Sequence, residues 1–165
     1  MRKLLCMVVV FTSFVGCKND DGLPQEVDPE ALVFNYQKMP KKFAINPEAT
    51  AILEEWVEFT ELTGSFDVLY KAKNNEDLIL AIDDLIEKEK LLAKAKYPEP
   101  FDQFQIKSRQ RVLKTYILKV KSSLLNHTDT TEPAIEMLVA YNAMRRQFNV
   151  IVNGQLDKKM ILNES

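Results

Sequence analysis

Apolar residues recur along this chain in two patterns. A near-continuous run comes first, Leu4–Phe14, broken only by Thr12 and Ser13. From residue 47 onward they return every third or fourth position instead, the spacing that puts side chains on one face of a helix. Four stretches carry this period. The first starts at Asn46-Pro47-Glu48, an N-cap, a proline at the first helical position and an acid near the positive helix end. Its stripe is Ala49, Ile52, Leu53, Trp56, Phe59 and Thr63, and Gly64 is expected to end it. Residues 65–73 read as a connector. The second helix starts near Asn74 or Asn75 and runs to about Lys96, with Leu78, Ile82, Leu85, Ile86 and Ala93 on its apolar face and Pro98 and Pro100 closing it. The third runs from about Asp102 to Leu125, with Ile106, Leu113, Tyr116, Ile117, Val120 and Leu124 inward. The fourth begins at Thr131-Glu132-Pro133, with Ala134, Met137, Leu138, Tyr141, Phe148 and Val152 inward. Gly154 is expected to weaken or end it, leaving a frayed tail to Ser165.

Strand-type alternation is absent, the chain has only 4 glycines, and the last three connections are short. Consecutive helices on short loops pack antiparallel, so the pattern predicts an all-α, up-down-up-down four-helix bundle. The expected organisation is a signal peptide over 1–16, a lipidated cysteine and tether over 17–46, the bundle over 47–156 and a tail over 157–165.

The first apolar run has a different purpose. It follows a basic start, Met1-Arg2-Lys3, and is too short to cross a bilayer core, which takes roughly 20 helical residues. That is the layout of a secretory signal. Phe14-Val15-Gly16-Cys17 resembles a lipobox, with Phe14 where most carry leucine. The expectation is cleavage between Gly16 and Cys17 and lipidation of the Cys17 thiol, each buried acyl methylene adding roughly 0.8 kcal/mol of membrane affinity. Lys18-Asn19-Asp20-Asp21 stops the apolar run and resembles the export signal of surface lipoproteins in Bacteroidetes-type bacteria. The expected address is the outer membrane, on its cell-surface face or, alternatively, on its periplasmic face. Gly22, Pro24, Pro29 and Pro40 mark residues 18–46 as a tether, whose apolar island Ala31–Tyr36 is read as docking on the domain, with a short helix as the alternative. A flexible tether of roughly 30 residues spans about 30 Å r.m.s..

Composition removes several classes of chemistry. The chain carries 22 Lys and Arg against 24 Asp and Glu, and Arg2 and Lys3 leave with the signal. The mature balance is acidic, which argues against a dedicated nucleic-acid binder. Cys6 also leaves and Cys17 is lipidated, so the domain has no thiol chemistry, disulfide or thiolate metal site. The only histidine, His127, reads as a turn residue between the third and fourth helices. No Glu-x-x-His pair, haem-attachment motif or glycine-rich phosphate loop is present. A non-enzyme without catalytic residues, metal or cofactor is expected.

Three charges fall on core faces. On helical wheels Glu89, Arg109 and Arg145 lie near their apolar stripes, and counting from the turns sets them at similar levels. They are expected to meet inside or at the edge of the bundle, with Tyr116, Tyr141 and Asn142 nearby. Two readings stay open: a buried ion network that fixes register, or an anion site, since two arginines against one glutamate leave a spare positive charge. The third helix also carries an outward basic stripe, Lys107, Arg111, Lys114 and Lys121, facing acids on the second. It reads as solvated faces of opposite sign or as a dock for an acidic partner or polyanionic sugar.

The stretches Ile106-Lys107-Ser108-Arg109-Gln110-Arg111-Val112-Leu113-Lys114-Thr115-Tyr116 and Ala140-Tyr141-Asn142-Ala143-Met144-Arg145-Arg146-Gln147-Phe148-Asn149, with the lipobox, resemble small helical lipoproteins of Bacteroidetes (flavobacterial) type that carry no assigned activity. The resemblance implies an origin and a location. The functional expectation is a lipid-anchored envelope protein, a non-enzymatic interaction or structural module with a protein partner in the envelope. The alternative is a binder of a small anionic ligand through Arg109 and Arg145.

Overall fold

The computed structural model describes residues 36–163, with side chains from Gln37 to Gln155 and at Leu162. The expected signal peptide, the expected cleavage and lipidation site at Gly16 and Cys17, and the expected tether as far as residue 35 lie outside the described residues. Among the described residues the protein is all-helical, with five α-helices and no strand: α1 Pro47–Glu54, α2 Val57–Leu69, α3 Asn75–Leu92, α4 Phe104–Leu125 and α5 Thr131–Asn163. Short 3-10 turns lie at Tyr36–Lys38 and Glu99–Phe101.

The helix starts follow from their caps. Asn46 accepts the Ala49 N–H at 3.0 Å ahead of Pro47, and Asn74 accepts the Asp77 N–H at 2.7 Å. Each satisfies a backbone donor that the first turn leaves without a helical partner.

The first predicted helix is two helices. No proline or glycine marks the break; Trp56 does, with φ −95° and ψ 88°. Its ring is buried against Phe59 and Tyr97, at centroid distances of 5.7 and 4.8 Å. The Leu53 carbonyl accepts both the Trp56 N–H and the Thr60 hydroxyl across the corner. The corner lets α1 pack against both α2 and α5. Gly64 does not end the helix, which continues to Leu69 because Phe66 and Leu69 are buried beyond it. Their burial outweighs the roughly 1 kcal/mol that an interior glycine costs. Gly154 likewise sits inside α5, which runs on as helix through the expected tail to Asn163.

Each of α2 to α5 packs against its neighbour in sequence. Aromatic contacts add α2 to α5: Phe66 stacks on Tyr141 at 3.8 Å between centroids, and Phe59 meets Phe148 edge-on at 5.0 Å. Phe101, fully buried against Phe148, pins the connector between α3 and α4 to the same core. No helix among the described residues is long and apolar enough to cross a membrane.

Candidate functional site

Arg145 is buried in α5 and faces the extended segment that leads into α1. Its Nε donates to the Phe43 carbonyl at 2.6 Å, and its Nη1 donates to the Tyr141 hydroxyl at 3.1 Å. Asparagines flank it on the same side of the helix. Asn142 accepts the Phe43 N–H at 2.8 Å and donates to the Lys41 carbonyl at 2.9 Å. Asn149 repeats the arrangement, accepting the Asn46 N–H at 3.0 Å and donating to the Ala44 carbonyl at 3.1 Å. Asn153 closes the row by accepting from the Asn46 side chain at 3.0 Å.

The spacing is a geometric match. Seven helical residues between Asn142 and Asn149 rise about 10.5 Å. Three extended residues, from 41/43 to 44/46, advance about 10 Å. Each side-chain amide offers a donor and an acceptor to backbone groups two residues apart, as a neighbouring strand does. The result is a clamp that holds residues 41–46 mainly through their backbone. Tyr70 adds a bond to the Pro40 carbonyl at 3.0 Å, Lys42 pairs with Asp67, and Arg146 lies 4.8 Å from the Phe43 ring centre. Burial, foremost, raises the Tyr70 phenol to about 12, with the nearby Tyr141 adding to it and Arg145 opposing. Tyr141, whose hydroxyl also donates to Thr63, is raised by burial as well.

Glu89 is buried on α3 in a different place. It accepts from Gln110 Nε2 and from Lys114 Nζ, each at 3.3 Å. Gln110 is itself buried, and its carbonyl accepts the Tyr97 hydroxyl. Burial, then Glu89 and Asp102, raises the Tyr97 phenol, while Arg111 lowers it.

Arg109 does not join either group. It is exposed on α4 and donates to Gln147 of α5 at 3.2 Å, beside a shallow groove of about 300 Å³ that includes Phe104, Ser108 and Ala143. The expected meeting of Glu89, Arg109 and Arg145 is therefore corrected: each has its own partners. The levels were sound, since Glu89 reaches the next position, Gln110, and Arg109 reaches α5 two residues beyond Arg145. The faces were not. At 100° per residue Arg109 and Gln110 flank the centre of the α4 stripe by about 50° on opposite sides. The connector carrying Tyr97 covers the Gln110 flank. Of the expected neighbours, Tyr141 and Asn142 do accompany Arg145, whereas Tyr116 lies half-buried on α4 beside Lys119.

His127 occupies the α4–α5 loop at φ 51° and is exposed. Among the described residues, no group of three His, Cys, Asp or Glu side chains is placed to hold a metal ion. Gln110, Asn149 and Asn153 are the polar residues that wheel reasoning missed. The row had a signal, three asparagines at intervals of seven and four on one helix. Comparison with protein-family models, with curated proteins and with solved structures returns no match.

Proposed function

We propose that this protein is a lipid-anchored module of the outer membrane, non-enzymatic, whose helices α2–α5 form an up-down-up-down four-helix bundle held on a tether from Cys17 and presented to a protein partner in the envelope. The observation that carries the reading is the clamp. A chain segment leading back toward the proposed anchor is bound along α5 by Asn142, Arg145 and Asn149, so the domain has a defined attachment to whatever precedes it. The N-terminal pattern around Gly16 and Cys17, and its resemblance to flavobacterial lipoproteins, supports the anchor. The bundle is supported by the packing of sequence neighbours and by the pairs Glu89–Gln110 and Arg109–Gln147, which lie at the levels antiparallel helices require.

The alternative anion site through Arg109 and Arg145 loses its basis, because Arg145 is engaged with Phe43 and Tyr141 while Arg109 points to another groove. Metabolic labelling with an alkyne fatty acid tests the anchor. Label on the wild-type chain, absent from Cys17→Ser, with the wild type in the outer-membrane fraction, is the expected result. Equal labelling of both, or a soluble wild-type chain, overturns it. Protease treatment of intact cells then separates the outer face from the periplasmic face. Crosslinking and mass spectrometry on the labelled protein test for the envelope partner.

A further inference from the structure

The Glu89 cluster forms the floor of a cavity. It measures about 540 Å³ and lies between the end of α3, the connector at residues 93–103 and α4. Its charge is graded with depth. At the bottom are Glu89 and Gln110, both 3% exposed, with the half-buried Tyr97 hydroxyl beside them. At the mouth are the cations Lys96, Lys107, Arg111 and Lys114. These include most of the outward basic stripe of α4.

Two of the mouth cations are already paired, Lys107 with Asp102 and Lys114 with Glu89. Lys96 and Arg111 make no ion pair or side-chain hydrogen bond among the described residues. The floor is also under-used. A carboxylate offers about four acceptor positions, and Glu89 takes two bonds, both at 3.3 Å, the long end of the range for such contacts. A spare acceptor below and spare cations above describe a ligand with opposite ends.

We propose that this cavity binds a small amino-carboxylate zwitterion of amino-acid or dipeptide size, its ammonium donating to Glu89 at the floor and its carboxylate received by Arg111 and Lys96 at the mouth. The Arg111 guanidinium suits a carboxylate because its planar fork can donate two parallel bonds. A simple anion would meet the floor carboxylate unfavourably, and a simple amine would meet the cationic mouth. The site does not depend on the anchor or on an envelope partner.

Isotope-edited NMR titration of the full chain tests it. Glycine, β-alanine and glycylglycine serve as probes of increasing charge separation. N-acetylglycylglycine lacks the ammonium and glycylglycinamide lacks the carboxylate. The expected result is saturable shifts at Tyr97 and Gln110 with at least one zwitterion, and binding of either single-charge probe weaker by roughly tenfold or more, the worth of one hydrogen bond to a charged group. Arg111→Gln and Lys96→Gln are surface changes that leave the core intact and are expected to weaken the zwitterion. Glu89→Gln is expected to weaken it by removing the floor charge; should that variant fail to fold, the single-charge probes on wild type report on the floor. No saturable shift with any zwitterion overturns the proposal. So does N-acetylglycylglycine binding as well as glycylglycine.

Discussion

Replacing Asn142 with alanine removes both of its bonds to the extended segment while leaving α5 with a better helix former. A typical intramolecular hydrogen bond contributes about 0.5–1.5 kcal/mol net, so two are worth about 1–3 kcal/mol. The stranded groups are the Phe43 N–H and the Lys41 carbonyl. Phe43 is half-buried and Lys41 exposed, so the segment can lift away and give both to water rather than leave them unsatisfied. The loss is therefore local, a rise in opening of the segment by roughly 5–150-fold. Amide hydrogen exchange reads it directly. In Asn142→Ala the Phe43 amide loses protection by that factor, while amides in the middle of α3 and α4 keep theirs. The Asn46 amide, held by Asn149, reports whether the two halves of the clamp act together. Unchanged protection at Phe43 refutes the clamp. An equal loss of protection throughout the core also refutes it, since the segment would then be part of the global fold.

Other substitutions separate the residues that sequence reasoning grouped. Arg109→Ala is expected to change unfolding free energy by about 0.5 kcal/mol or less, as at most surface sites. Arg145→Ala removes the bond to the buried Tyr141 hydroxyl and the packing of the guanidinium beside its ring, and is expected to cost about 2–4 kcal/mol by urea denaturation. Gly64→Ala is expected to stabilise by about 0.5–1 kcal/mol, because Gly64 is helical and an added Cβ meets nothing within 4 Å; a destabilised variant contradicts this. The Tyr70 phenol ionises at about 12 when folded against 10.0 ordinarily, so the stability it contributes is whole below pH 10 and is lost as pH rises toward 12. Phenolate absorbance should show one fewer late-titrating group in Tyr70→Phe.

Helix identity was legible because several independent signals agreed: the Asn46 and Asn74 caps, Pro47 and Pro133 in first turns, and stripes at helical spacing. The corner at Trp56 was not. Nothing local breaks the helix there, and the cause is tertiary, the burial of one indole against Phe59 and Tyr97. Gly64 and Gly154 misled in the opposite direction, since a local preference of about 1 kcal/mol is easily overridden by packing. For the charged residues, periodicity set their levels along α4 and α5 but not their flank. Arg109 and Gln110 are equivalent on a wheel, and only the path of the α3–α4 connector distinguishes them. The asparagine row was visible in principle. Asparagine is a poor helix former because its side chain competes for backbone groups, and on α5 it does so with the backbone of another segment.

The clamp also bears on when this chain can finish folding. Its contacts join residues separated by 99 to 107 positions, and the residues that receive the segment lie in α5, the last of the described helices. Contacts of such long range must wait for loop closure, which slows folding. As the chain is made, residues 41–46 find Asp67 of α2 through Lys42 but lack the backbone partners on Asn142, Arg145 and Asn149 until α5 has followed. The clamp is thus completed only after α5 is available, and until then the segment before α1 keeps its backbone groups open to water.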